Sequence, residues 1–195
     1  MKLDLNCEVE YIGSFLSQEE SNGLLHELLK VKDLTTPFSM ELASGELFQQ
    51  NFGKMMFVDR EIYDKKKLPS SIWGTNQVWS ESMSVLKRRI EGYTGQSFAT
   101  CVCIYYPDGN AGVDYHSDQV AFGDTNIIAS ISLGEERLFQ LREKQTGKVY
   151  DLILGNGSLL VMGNGTQDRY EHALPINPTY KRPRINLTFR KFGFD

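Results

Sequence analysis

Cysteine is scarce: Cys7, Cys101 and Cys103 are the only three in 195 residues. Three thiols make no disulfide framework, and without a second Cys or His pair nearby they make no structural zinc site. Cys101 and Cys103 fall at alternate positions of an expected strand and read as core. Six prolines form no Pro-rich linker, and neither an internal repeat nor a low-complexity run is present. No apolar run approaches the roughly 20 residues of a membrane span, so no membrane partner is expected. The N-terminal stretch carries Lys2, Asp4, Glu8 and Glu10 where a signal peptide would have its apolar region. A reducing, cytoplasmic setting is the simplest expectation, with the nucleus as its counterpart in a eukaryote. Surplus positive charge is also lacking. A net charge of −4 argues against tight, nonspecific binding along a phosphate backbone. Lys65-Lys66-Lys67, Lys87-Arg88-Arg89 and Lys181-Arg182 are local candidates for phosphate contact, although charge runs are usually solvated surface.

What remains is a soluble composition, 41% hydrophobic, and a length that suits one domain over 1–195. A short strand is expected at Glu8–Ile12. A helix follows from the capping-box pattern Ser17-Gln18-Glu19-Glu20, with Leu24, Leu25, Leu28 and Leu29 on its apolar face. His26 lies off that face and is given no chemistry. A second helix is predicted over Gln77–Tyr93, with Val78, Val85, Leu86, Ile90 and Tyr93 forming a stripe and Gly95 ending it. After it the period becomes two. Strands are predicted near 99–106, 127–133, 137–143, 148–154, 158–162, 170–175 and 184–191, with a hairpin turn at Gln145-Thr146-Gly147. Closely spaced short strands suggest a sandwich or jelly roll. Residues 35–75 lack a clean period. They hold Phe38, Phe48, Phe52, Phe57, Tyr63 and Trp73, and read either as irregular packing over a sheet or as a substrate lid.

Two patterns carry chemistry. His116 and Asp118 stand at i and i+2, on one face of a strand end, and His172 can supply a third ligand. Two imidazoles and a carboxylate form a facial triad that leaves positions open on non-heme Fe(II). A His-x-Asp alone is weak, because a loop His beside a solvated Asp is commoner. Near the C-terminus, Arg184, Asn186, Thr188 and Arg190 share one strand face while Ile185, Leu187 and Phe189 share the other. Such alternation usually marks a half-buried strand with its polar face in water. Two Arg and an Asn can instead hold a dicarboxylate, since guanidinium forks match carboxylates.

From Phe98 to Phe192 the chain resembles the AlkB family of Fe(II)- and 2-oxoglutarate-dependent dioxygenases. The resemblance runs through Tyr106-Pro107-Asp108-Gly109, His116-Ser117-Asp118, Ile128–Gly134 with Arg137 and Phe139, Gly157–Met162, Thr166-Gln167, His172–Pro175 and Pro183–Arg190. The Arg-x-Asn-x-Thr-Phe-Arg segment is its most specific part. The resemblance implies an α+β, mainly β fold: a double-stranded β-helix (jelly roll) with supporting N-terminal helices, a catalytic core over 97–192 and a substrate lid over 35–75. It implies Fe(II) on His116, Asp118 and His172. It implies 2-oxoglutarate on Arg184 (distal carboxylate) and Arg190 (carboxylate nearer the metal), with Asn186 and Tyr106 adding hydrogen bonds, and O2 as oxidant. The reaction implied is oxidative demethylation of N-alkylated bases in DNA or RNA, by a monomer, releasing succinate, CO2 and formaldehyde. Phe57 and Tyr63 become candidates for stacking on the substrate base, and Phe57-Val58-Asp59 loosely matches a Tyr-Gly-Asp of relatives. Two positions depart from the pattern. Ile104 stands where an Asn is usual, and Val120 where repair members carry an acid that favours cationic bases; Asp124 or Glu135 could replace that acid in space. The competing readings are a 2-oxoglutarate-dependent hydroxylase of a peptide or small molecule, a non-catalytic nucleic-acid-binding module, and a structural jelly roll with vestigial motifs.

Overall fold

The computed structural model describes residues 1–41, 44–118 and 120–193. Positions 42 and 43 of the predicted lid and 119 of the predicted core lie outside the described residues. In chain order the elements are β1 (Val9–Ile12), α1 (Gln18–Leu28), α2 (Lys32–Thr35), β2 (Pro37–Glu41), β3 (Leu47–Val58), α3 (Arg60–Asp64), α4 (Ser70–Trp73), β4 (Thr75–Val78), α5 (Glu81–Thr94), β5 (Thr100–Tyr106) and β6 (Val113–His116). Then come β7 (Ile128–Gly134), β8 (Arg137–Glu143), β9 (Val149–Leu154), β10 (Ser158–Met162), α6 (Thr166–Arg169), β11 (Tyr170–Leu174) and β12 (Arg184–Arg190). The strands form two sheets. The larger runs β1-β10-β7-β12-β5-β3-β2 with β4 beside β3; the smaller runs β6-β11-β8-β9. Together they make the jelly roll that the closely spaced strands suggested.

One face of the larger sheet packs on the helices. Ile185, Leu187 and Phe189 of β12, Cys101 and Cys103 of β5, and Met55 and Phe57 of β3 join Leu24, Leu28, Met83, Leu86 and Ile90 in one core. Alternation then forces Arg184, Asn186, Thr188 and Arg190 onto the other face, which looks towards the smaller sheet. The capping box of α1 is formed in full, Ser17 and Glu20 each satisfying the other's backbone N–H. His26 is exposed, and the two core thiols lie 3.9 Å apart.

Two expectations change. The second helix starts at Glu81 behind an Ser80 cap, because Thr75–Val78 pairs in parallel with Met55–Val58 as β4. Its buried stripe is Met83, Leu86 and Ile90, while Val85 and Tyr93 are about half exposed. The 35–75 segment is also more regular than its sequence suggests. It contains a 12-residue strand, β3, that extends the larger sheet and forms a hairpin with β2. Met55-Met56-Phe57-Val58 is buried on both faces, and a strand buried on both sides has no period of two to read.

Candidate metal centre and anion site

The smaller sheet builds the metal centre. His172 of β11 lies directly opposite His116, the last residue of β6. Side chains of directly opposed residues stand close on one face, and the two imidazole centroids are 4.3 Å apart. Asp118 follows two residues past the strand end. Its backbone N–H donates to the Gln167 Oε1 at 2.8 Å, and the Ser117 hydroxyl donates to the Tyr170 carbonyl at 2.9 Å. These bonds fold the segment back so that Asp118 Oδ2 reaches 4.0 Å from His172 Nε2. One donor atom from each of the three residues lies within 4.8 Å of the other two, around an ion-sized gap.

The protonation states suit a cation. His116 Nδ1 lies 2.8 Å from the Asp114 carbonyl. A carbonyl only accepts, so Nδ1 carries the proton and Nε2 keeps its lone pair for a metal. Burial drives His172 down to about 4, with Asp118 opposing and His116 reinforcing the shift. At neutral pH the ring is therefore uncharged, as a ligand must be. Phe139 stacks on it at 5.5 Å. The fit to a divalent ion is good: two imidazoles, one carboxylate and an open side at the exposed His116.

The larger sheet builds the anion site on the opposite wall of a cavity of about 190 Å³. Arg184 and Arg190 are almost fully buried, 2% and 5% exposed, so the polar face of β12 is not in water. Arg184 donates to the Ser132 hydroxyl at 2.9 Å and to Asn186 Oδ1 at 3.0 Å. Asn186 also accepts from Ser130 and donates to Thr188, which locks its amide. The Arg184 guanidinium lies 5.4 Å from the Tyr106 ring centroid, and its buried Nε has no hydrogen-bond partner. Burial pulls its pKa down to about 10, with Tyr106 opposing. A buried guanidinium with a donor unused is set to receive a carboxylate. Arg190, at the other end of the strand, is also lowered by burial and is offset by Asp118, which places it on the metal side. This donor set fits a dicarboxylate reaching from the Tyr106 end towards the metal.

All seven of these residues line the one cavity. The two stacking candidates do not. Phe57 is 2% exposed, points into the helix-side core and stacks on Trp79 at 6.1 Å, with Trp79 stacked in turn on Phe189 at 5.9 Å. It is core because it shares the sheet face of Cys101 and Phe189, not that of Arg190. Tyr63 sits exposed on α3, away from the cavity lining. Asp59 accepts from the Trp79 indole and the Lys87 ammonium, a structural role. The residues that sequence reasoning missed are Lys54 and Trp73, both in the cavity wall; only an aromatic-rich stretch signalled them. Val120 is 60% exposed. Asp124 and Glu135 are outside the lining and are occupied, by the Asn126 backbone and by Arg182 respectively. Of the basic runs, Lys65, Lys87, Arg89 and Arg182 already meet carboxylates. Arg137, wholly buried, donates to the Asp108, Ala111 and Pro175 carbonyls and so ties the loops flanking β6 and β11.

Comparison with known proteins follows the same lines. A family profile described as the 2OG-Fe(II) oxygenase superfamily matches residues 8–190. The alpha-ketoglutarate-dependent dioxygenase alkB homolog 3 of Bos taurus is 37% identical over 125 residues, 59% of this chain; the chain spans 44% of that relative's length. The DNA oxidative demethylase ALKBH2 of Bos taurus is 31% identical over 96% of this chain and 69% of its own. An uncharacterized protein, R406, of Acanthamoeba polyphaga mimivirus is 32% identical over 94% of this chain and 93% of its own. Among solved structures, OsALKBH1 superimposes with a TM-score of 0.66 at 14% identity, over 97% of this chain and 100% of that one, a likeness of fold.

Proposed function

The chain belongs to the 2OG-Fe(II) oxygenase superfamily, in its AlkB branch, and from that membership we propose that it is an oxidative demethylase of N-alkylated bases in DNA or RNA. The observation that carries the reading is the meeting, across one cavity, of a His-Asp-His triad from one sheet and the loop after its strand β6 with two buried Arg from the other sheet. Iron, 2-oxoglutarate and oxygen supply the oxidation that ends in succinate, CO2, formaldehyde and the unmodified base.

The residues have separate tasks. His116, Asp118 and His172 would hold the metal, which would have positions left for co-substrate and oxygen. Arg184 pairs with the distal carboxylate, while Asn186 and Tyr106 fix its orientation. Arg190 neutralises the carboxylate next to the metal. Phe139, Leu160 and Leu174 line the same cavity and keep water from the reacting atoms. Gln167 positions Asp118 through its backbone. Residues 97–192 are the catalytic core and 35–75 the substrate-facing cover. A base in a duplex must leave the stack, at a cost of a few kcal/mol, so single-stranded or damaged sites are favoured. The reading includes a monomeric, cytoplasmic protein.

The test is mass spectrometry of oligonucleotides carrying 1-methyladenine, 3-methylcytosine, 1-methylguanine or N6-methyladenine, in DNA and RNA, with Fe(II), ascorbate and oxygen. Loss of a methylene mass that requires 2-oxoglutarate, and that is absent in His172→Ala, is expected. Succinate without loss of mass points to a peptide or small-molecule hydroxylase. Neither signal in the iron-loaded protein refutes the enzyme.

A further inference from the structure

Lys54 is a cation facing the cavity with no carboxylate within 4.0 Å among the described residues. It lies on the site face of β3 in a cross-sheet row with Ile104 and Asn186, two strands out from the co-substrate wall. Its ammonium is held in place. It donates to the Ile72 carbonyl at 3.0 Å and lies 4.7 Å from the Trp73 ring centroid and 5.2 Å from that of Phe38. The backbone beneath it is equally fixed. A Cβ at Gly53 would come within 1.7 Å of the Leu34 carbonyl oxygen, and one at Gly74 (φ +79°) within 2.2 Å of the Lys54 carbonyl oxygen. Only glycine at both places lets α2 and the α4–β4 turn close on this residue.

One hydrogen bond leaves an ammonium two donors unused. Burial lowers the Lys54 pKa to about 8, with Arg190 adding to the effect, so the cost of the charge is already being felt. Such a cost persists where a ligand supplies the missing acceptor. Among the described residues Asp118 is the one carboxylate in the cavity lining, and on the demethylase reading it would be a ligand of the metal. A positively charged base would therefore meet the Lys54 ammonium with no carboxylate of the described lining left to balance it.

We propose that Lys54 is a specificity-determining residue, which selects neutral methylated bases carrying a carbonyl oxygen where the cationic ones carry an exocyclic amine. Resting on the demethylase reading, this favours 1-methylguanine and 3-methylthymine over 1-methyladenine and 3-methylcytosine. The ammonium donates to the base oxygen at position 6 or 4. An amine at that position brings donor against donor and cation against cation, a mismatch that polar sites reject strongly. A backbone phosphate is the other acceptor that nucleic acid offers. Lys54 lines the same cavity as the triad with its ammonium against two rings, a setting that suits the edge of a base better than a phosphate.

The experiment compares kcat/KM for the four lesions in otherwise identical single-stranded oligonucleotides, using the iron-loaded full chain and its Lys54→Gln and Lys54→Glu variants. Binding of the same oligonucleotides to the metal-free proteins is measured in parallel, and thermal melts confirm folding. The unsubstituted protein is expected to prefer the carbonyl pair by about tenfold or more, and Lys54→Glu to collapse or reverse that ratio, with Lys54→Gln between. The metal-free affinities should move in the same order. A preference for the cationic pair, or a ratio unchanged in both variants, overturns the assignment and leaves the demethylase reading intact. An equal loss on all four lesions marks a phosphate contact and also overturns it. Turnover of 2-oxoglutarate with no lesion demethylated overturns both readings together.

Discussion

Replacing Arg184 with Met should weaken co-substrate binding and at the same time fail to destabilise the protein. The side chain is 2% exposed, and burial takes its pKa from the ordinary 12.5 to about 10. At about 1.4 kcal/mol per pH unit, holding that charge costs the empty site about 3 kcal/mol. Met removes the charge and keeps most of the volume. It also forfeits the bonds to Ser132 and Asn186, worth about 1 kcal/mol each. The net is a gain of about 1 kcal/mol, or a rise of about 2–4 °C in Tm for a chain of this size. The carboxylate of 2-oxoglutarate, however, would enter the same pocket unpaired. Truncating one partner of a buried charge pair costs about 2–5 kcal/mol, which is about 30-fold to several thousand-fold in Kd. Calorimetric titration of 2-oxoglutarate into the Mn(II)-loaded protein, beside thermal melts without ligand, reads both quantities. Arg184→Lys should fall between, keeping charge but losing the fork. An affinity within threefold of the unsubstituted protein would refute the assignment of Arg184. A fall of more than about 10 °C in the ligand-free melt would show instead that the guanidinium is a structural strut.

Three further outcomes are expected. Phe57→Ala should cost about 3–5 kcal/mol, as for other large buried rings, because it opens the Phe57–Trp79–Phe189 stack; Tyr63→Ala, on an exposed helix, should stay within about 0.5 kcal/mol by denaturant unfolding. The metal-free protein should lose stability as pH falls from 6.5 towards 4. His172 is held neutral in the fold at about 4 against 6.5 unfolded, so the unfolded chain takes up the proton first, and about 3 kcal/mol is at stake; unfolding at pH 7 and 4.5 tests it, and greater stability in acid would contradict the burial of the ring. Gln167→Ala should weaken metal binding about tenfold or more, as loss of supporting contacts does at metal sites, since it frees the Asp118 backbone N–H; titration of Mn(II) would show it, and an unchanged affinity would mean that Ser117 suffices.

The parts of the fold that could be read from the chain are those in which each strand has one dry face. Ile185, Leu187 and Phe189 alternate with polar residues, and β12 appears where that alternation put it. The same pattern misled about environment. Polar residues on one face ordinarily mean water, whereas here they face a second sheet, and only the spacing to His172 hinted at it. Met55-Met56-Phe57-Val58 carries no period because β3 is covered on both sides, so a long strand passed for irregular chain. Gln77 and Val78, the end of β4, fall in the expected helix because Val78 extends the helical stripe; parallel pairing with β3 is a tertiary preference with no local signature. The triad was visible in the spacing, but the cross-strand register that joins His116 to His172 was not. Lys54 escaped because a lysine is usually surface, and nothing in its neighbours Phe52, Gly53, Met55 and Met56 says that Trp73 and Phe38 lie against it.

In the proposed assignment the metal ligands come from the smaller sheet and the segment that follows its strand β6, and the groups for the co-substrate come from the larger sheet. A molecule of 2-oxoglutarate bound to both therefore acts as a rivet through the sandwich. Its departure should free the layers to move against each other, and its arrival should stiffen them. Slowed hydrogen exchange in β11 and β12 together, on adding metal and co-substrate but neither alone, would be the mark of that rivet.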